Sequence, residues 1–463
     1  MKRMLMAVVL LAVIGSLVEA AKPSSPIDQI LANPAAREQA IANLRAEGPA
    51  GLAKLDELRK SITDEIVTHS AANPQQPDAR LTARLAAVET LMDEVAAQRY
   101  ACKSRLFWYT DLEQAQAAAT KQNKPILSLR MLGKLNEDFS CANSRFFRTT
   151  LYANRDVSEL LRENFVLHWK SVRPVPRVTI DFGDGRKLER TLTGNSIHYV
   201  LTSDGQIVDA LPGLYGPAAF MSQLKTSLQL IEQLAGTDEA TRSERLVAFH
   251  QLQLSALDQR WASDYQTATQ LLNSGSSAVH LAAPSPLRAA QPLKATAAPP
   301  NAAAAAQVTR PKKMVEMPLV RAAIPGAEIP ANVTDDKLWQ IIASLHAAES
   351  KLDEASMELI RSQNPIAAHA VRLATTKARI EDPLVKLVRT LENSIAVDTV
   401  CNEYQFHRQI HEWLANSGRS DVEQFNERVY AQLFLTPSSD PWLGLAPIDT
   451  YTALPNAGVA ANR

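Results

Sequence analysis

Between Trp108 and about Leu230 the apolar residues stop repeating every three to four positions and fall into helix and strand pieces by turns. "DLEQAQAAATKQN" (111–123) has helical spacing. "KPILSLRML" (124–132) is a short apolar run of strand type. "RDVSELLREN" (155–164) is helical again, and "FVLHWKSV" (165–172) a strand. "RVTIDFGDGRKLERTLT" (177–193) reads as a hairpin turning at Gly183-Asp184-Gly185. "SIHYVLTSDGQIVDAL" (196–211) is a second hairpin turning at Asp204-Gly205, and a helix, "GPAAFMSQLKTSLQLIEQL" (216–234), closes the region. Alternating helices and strands that end in antiparallel hairpins predict an α/β layer structure: a mixed sheet flanked by helices.

The flanks are different. Residues 21–104 are rich in Ala, Leu, Glu and Arg, with Leu81, Leu85, Val88 and Leu91 on one stripe and breaks at Pro34 and Gly48-Pro49. They predict a helical segment. The α/β domain takes residues 105–235, and a helical extension continues over 236–273. Residues 274–332 are Ala, Pro and Ser, too poor in apolar surface to hold a core, and predict a flexible linker. Residues 333–463 predict a C-terminal helical domain. A chain of 463 residues has room for this division.

The first 20 residues form a secretory signal by pattern. Lys2 and Arg3 precede an apolar run from Met4 to about Val18, and Val18-Glu19-Ala20 supplies small residues at a cut after Ala20. The run is shorter than the ~20 residues that span a bilayer. The expectation is a soluble protein outside the cytoplasm, periplasmic or secreted, with no membrane span once the signal is cut. That compartment permits disulfides, yet the chain has three cysteines, Cys102, Cys141 and Cys401. The odd count leaves at least one thiol free or bonded to another molecule. Lys plus Arg and Asp plus Glu both number 49, so no net field draws in nucleic acid, and none is expected as partner. No phosphate-cradling loop, Gly-x-Ser-x-Gly elbow or catalytic carboxylate pair is present.

The segment "FSCANSRFFRTT" (139–150) carries the chemistry of interest. A cysteine at a helix start faces unpaired N–H groups and the positive end of the helix dipole, both of which favour the thiolate. Arg145 and Arg148 add positive charge. A dithiol enzyme keeps its resolving sulfur three residues later; here that residue is Ser144, which can hydrogen-bond a sulfur but not resolve a mixed disulfide.

Trp108, "AQAAATKQNKP" (115–125), Cys141-Ala142-Asn143-Ser144, "RDVSELLRENFV" (155–166) and "GNSIHYVLTSDG" (194–205), in that order, resemble the thioredoxin-like superfamily, in its extracytoplasmic and spermatogenesis-associated forms. The likeness covers about residues 105 to 230. It implies a thioredoxin-like α/β domain, client proteins met through a thiol or a groove, no cofactor, and Cys141 as the candidate nucleophile. Ser144 stands where the resolving cysteine would be and Ser196 where the family has a cis-proline. A cis bond before a non-proline costs about 2.5–4 kcal/mol, so the bond before Ser196 is expected to be trans. The hairpin at 177–192 lies where many such folds place a helix. Three roles are open to Cys141: mixed disulfides with client thiols, a cycle with Cys102 as distant resolver, or an inert packing residue. His198, on the strand face of Ser196, is a candidate base beside the thiol, or a plain core histidine.

The leading expectation is thus an exported single-cysteine (Cys-x-x-Ser) protein forming mixed disulfides with clients. The alternatives are a redox-inactive binding or scaffold protein, and a metal-binding C-terminal helical region. The last rests on Glu403, His407 and His411 in "CNEYQFHRQIHEWL" (401–414), which share a face of a regular helix. The motif lacks the Glu after the first His that zinc proteases use, and a polar helix face explains it as well. Asp181 and Asp184 are weak calcium candidates better explained as turn residues.

Overall fold

The computed structural model describes residues 34–191, 194–273, 336–363, 383–417 and 420–443. The signal segment, the whole of the 274–332 linker and the chain end after Leu443 lie outside them.

Three helices open the described chain: α1 (Pro34–Ala46), α2 (Pro49–Ala72) and α3 (Ala79–Ala96). Pro49 starts α2 at a position that needs no N–H donor, and Asp78 caps α3 by accepting from the amides of Arg80 and Leu81. They bury Leu52, Leu55, Ile62, Val88, Leu91, Met92 and Val95 in a core of their own. A short helix α4 (Ala101–Ser104) leads into the sheet.

The sheet has five strands: β1 (Trp108–Tyr109), β2 (Ile126–Leu132), β3 (Val166–Arg173), β6 (Ser196–Leu201) and β7 (Ile207–Pro212). Their spatial order is β1-β3-β2-β6-β7. β1, β3 and β2 run parallel, while β6 and β7 are antiparallel additions. The parallel strands are joined through α5 (Leu112–Gln122), α6 (Ala142–Phe146) and α7 (Arg155–Asn164), as parallel neighbours require crossovers. β2, β6 and β7 are buried along their whole length, which explains their nearly continuous apolar runs. The hairpin β4 (Arg177–Asp181) and β5 (Lys187–Thr191) forms a separate two-stranded sheet. Asp181 and Asp184 accept from the amides of Gly183 and Arg186 within its turn, so both carboxylates are engaged in turn formation.

The long helices α8 (Pro217–Leu234) and α9 (Glu239–Asn273) follow, then α10 (Asp336–Leu345), α11 (Glu354–Gln363), α12 (Pro383–Cys401), α13 (Arg408–Ser417) and α14 (Val422–Arg428). The C-terminal helices share one hydrophobic core with the sheet rather than burying a core of their own: Ile395, Tyr404, Phe406, Trp413 and Phe425 belong to the cluster that holds Leu127, Tyr199 and Val208. Directly paired residues such as Ser128–His168 and Ser128–Tyr199 share one face of the sheet. α14 sits on that face. Glu423 pairs with the fully buried Arg130 at 2.8 Å, and Asn426 accepts from the Tyr199 hydroxyl at 3.2 Å. The opposite face, with Leu129 and His198, packs against Phe147 and Phe220. No described helix is long and apolar enough to cross a membrane.

Candidate functional sites

The Cys141 turn follows β2. Gly133, at φ 74°, lets the chain leave the strand where a Cβ would meet the Ser140 Cα at 3.1 Å. The Cys141 amide then donates to the Leu132 carbonyl at 3.1 Å, and Cys141 is the N-cap of α6. α6 has five residues and widens at once into a π-helical turn, Phe147–Leu151. Ser196 opens β6 opposite Met131, next to the same strand end. Its preceding peptide bond is trans, there being no cis bond among the described residues.

The sequence puts a reachable sulfur here; the structure gives a closed one. Cys141 is 0 % exposed and belongs to the main core cluster. Its thiol donates to Ser144 Oγ at 3.4 Å, and the Ser144 hydroxyl lies 2.7 Å from Ser140 Oγ and 2.8 Å from the Cys141 carbonyl as donor. Ser144 therefore accepts from the thiol instead of offering a proton to a thiolate. Arg145 donates to Thr191 Oγ1 at 3.0 Å. Arg148 turns to the carbonyls of Leu135 (3.1 Å) and Glu137 (2.6 Å), where burial pulls its guanidinium down to about 10. It pins a loop and does not face the sulfur as the sequence suggests.

His198 shares the face of Ser196, but its Nε2 pairs with the Tyr152 hydroxyl at 2.7 Å. The ring sits between Phe147 and Phe220, 4.6 and 5.0 Å away between centroids. Burial lowers it to about 3, so it is neutral at physiological pH, and its Nδ1 has no partner. Ser196 Oγ is likewise buried without a hydrogen bond. The loop before Ser196 is held from the C-terminal segment: Tyr430 donates to the Asn195 carbonyl at 3.2 Å, and Asn195 Nδ2 donates to Thr436 Oγ1 at 3.1 Å. Arg173 donates to the carbonyls of Thr436, Pro437 and Asp440. Tyr430 is pushed well above its usual range, by burial and then by the nearby Cys141. Cys102 is only part-buried, and its thiol is raised to about 12 by burial with Glu89 and Asp93 close by. No disulfide joins the cysteines.

The second cluster lies between β7, α9 and α13. The expected trio does not form there. Residues Asn402–His407 make a π-helical turn, whose wider winding breaks the regular i, i+4 face. Glu403 points away and binds Arg260 Nη1 at 2.8 Å and Gln223 Nε2 at 2.8 Å. His407 and His411 remain together, 4.1 Å between ring centroids, and meet Asp209 and His250. His407 Nε2 lies 2.9 Å from Asp209 Oδ1, His411 Nδ1 3.9 Å from the same oxygen, and His250 Nδ1 2.9 Å from His411 Nδ1. All four are buried. Burial pushes the Asp209 carboxyl up, but His407, His411 and His250 outweigh it and hold the group far below the usual carboxylate range. Burial first, then the neighbouring His407, depresses His411 well below its normal value, against the pull of Asp209. Burial also brings His250 down to about 4. Besides the His407/His411 spacing, the sequence signal that points to this cluster is Asp209, a charge inside the wholly buried strand "IVDALP". Nothing marks His250, which sits in an ordinary helical run.

Comparison with protein-family models, with curated proteins and with solved structures gives no match in any of the three.

Proposed function

We propose that this is an exported thioredoxin-like protein that acts as a redox-silent binding or scaffold protein, its single-cysteine turn closed by its own C-terminal helices. Several features support the family reading. Helix–strand alternation yields a mixed sheet, the Cys-x-x-Ser turn follows β2 directly, and Ser196 lies across from the end of that strand. The carrying observation for silence is the Cys141 thiol, fully buried and hydrogen-bonded as a thiol to Ser144. A mixed disulfide needs a sulfur that a client can reach, and this one has no exposure to solvent. The loop at Ser196, where a client backbone would lie under the family analogy, is engaged by Tyr430 and Thr436.

The reading is tested by trapping. Full-length wild type and Cys141→Ala are expressed with the signal intact, and extracts are alkylated and run without reductant. The reading expects the same band pattern from both. Reducible adducts present only in wild type would contradict it and favour client disulfides. Fractionation of the same cultures tests export, which expects a chain shortened at Ala20 in the envelope or medium.

A further inference from the structure

We propose that Asp209, His250 and His411 form a buried binding site for a divalent transition metal of the zinc class, clasping the C-terminal helices to the body of the protein. It is independent of the function proposed above.

The donor set comes first. Two imidazole nitrogens and one carboxylate oxygen, from α9, α13 and β7, all lie within 4.8 Å of one another. The separations of 2.9 Å (His250–His411) and 3.9 Å (His411–Asp209) bracket the ~3.3 Å edge of a tetrahedron with bonds of about 2.05 Å, the zinc length to nitrogen and oxygen. Small ring rotations bring three donors to that spacing. Imidazole and carboxylate together suit zinc, cobalt or iron better than calcium or magnesium, which take oxygen alone.

The outer contacts fit. The His250 ring hydrogen-bonds the backbone of Val208, and its Nδ1 faces His411 Nδ1 at 2.9 Å. Asp209 Oδ1 accepts from the Ala210 amide at 2.8 Å and from His407 at 2.9 Å, and Oδ2 from Ser227 at 3.4 Å. Metal ligands are commonly oriented in this way, by a second hydrogen bond on the far side of each ring or carboxylate. His407 is on this view a positioning residue for Asp209.

The geometry also says what the metal does. None of the three ligands is more than 2 % exposed, so there is no route for a substrate and the site is structural. His250 and His411 are 161 residues apart, on opposite sides of the 274–332 segment. A metal there ties α13 to α9 and β7 and adds its binding energy to the docking of the C-terminal helices.

The test uses the full chain. Metal analysis of protein purified without chelator is expected to show stoichiometric zinc. Chelator should lower the melting temperature, and added zinc should restore it. Replacement by Co(II) should give the visible bands of a tetrahedral ion without a thiolate charge-transfer band, which separates this site from any cysteine site. His411→Ala and His250→Ala should lose the bands. His407→Gln should keep them with affinity weakened about 10–100-fold. Each alanine variant also removes a buried hydrogen-bonding ring, so the wild-type readings decide. Wild type refolded with Co(II) that shows no visible bands, and a melting temperature indifferent to chelator and zinc, would overturn the proposal and leave a metal-free hydrogen-bond network.

Discussion

Gly216→Ala tests whether the C-terminal helices are seated on the sheet as described. Gly216 caps the start of α8 at φ −66°, a conformation alanine adopts freely. Its backbone therefore exacts no penalty on substitution. The cost is contact alone: a Cβ would lie 2.3 Å from the Glu349 carbonyl oxygen, 2.6 Å from Ser350 Oγ and 2.7 Å from Ser350 Cα. Ordinary contact begins at 3.4 Å, so the Ala347–Ser350 turn must retreat by about 1 Å. Overpacking of this kind costs ~1–3 kcal/mol. At roughly 2–4 °C per kcal/mol for a domain of about 150–250 residues, the melting temperature should fall by about 2–12 °C. Scanning calorimetry on the full chain measures it. A variant that melts within about a degree of wild type would show that the turn does not press on Gly216, and the docking described here would fail.

Three further outcomes follow from named contacts. Tyr152→Phe removes the hydroxyl 2.7 Å from His198 and leaves both ring nitrogens buried and unpaired, so chemical denaturation should show a loss of about 1–3 kcal/mol. Glu423→Gln takes the carboxylate from the buried Arg130 guanidinium and, because Glu423 is itself part-exposed, should cost about 1–3 kcal/mol, whereas Lys170→Ala, which removes only an exposed pair with the same Glu423, should cost under ~1 kcal/mol in the same denaturation assay. Stability should also be lost in acid and, less steeply, in base. His168 and His198 are both depressed by burial to about 3. They bind protons more readily when unfolded, so their contribution is full above ~6.5 and falls as pH drops below it, by up to ~1.4 kcal/mol per pH unit for each. His346 is raised to about 9, first by its bond to Asp264 and then by Glu349. Its contribution is full below ~6.5 and is lost as pH climbs through 9, so denaturation across pH should show a maximum near neutrality.

The strands were legible because their signals are local. "ILSLRML", "SIHYVL" and "IVDALP" are apolar runs bounded by Pro, Gly and Asp, and each of the two hairpins carries a glycine turn. The Cys141 turn and Ser196 also fell together as the order of motifs implies, since both sit at the end of the same paired strands. The burial of the sulfur was not legible. It depends on packing from the rest of the core, and the neighbouring Ser196 loop is held by Tyr430, 235 residues from Asn195. No spacing rule reports a partner that distant. The docking of α14 depends in the same way on Arg130 and Glu423, 293 positions apart. An arginine within a strand run hints at a buried partner without naming it. At the histidines, the i, i+4 spacing of His407 and His411 was informative, but across the π turn at 402–407 Glu403 faces Arg260 and Gln223, and the partners the histidines do meet, Asp209 and His250, come from β7 and α9. A one-residue change in helical winding leaves no mark in an amphipathic pattern this short.

The central claim is that the Cys141 sulfur is shut away in the native fold. The most direct measurement is alkylation of the native full-length chain with a small thiol reagent, followed site by site by mass spectrometry as denaturant is raised. The account predicts that the Cys141 peptide stays unmodified in buffer while unfolded protein reacts at once, and that its labelling follows the unfolding transition. Labelling of Cys141 in native buffer at the rate of an unfolded control would contradict it and return the thiol to the surface.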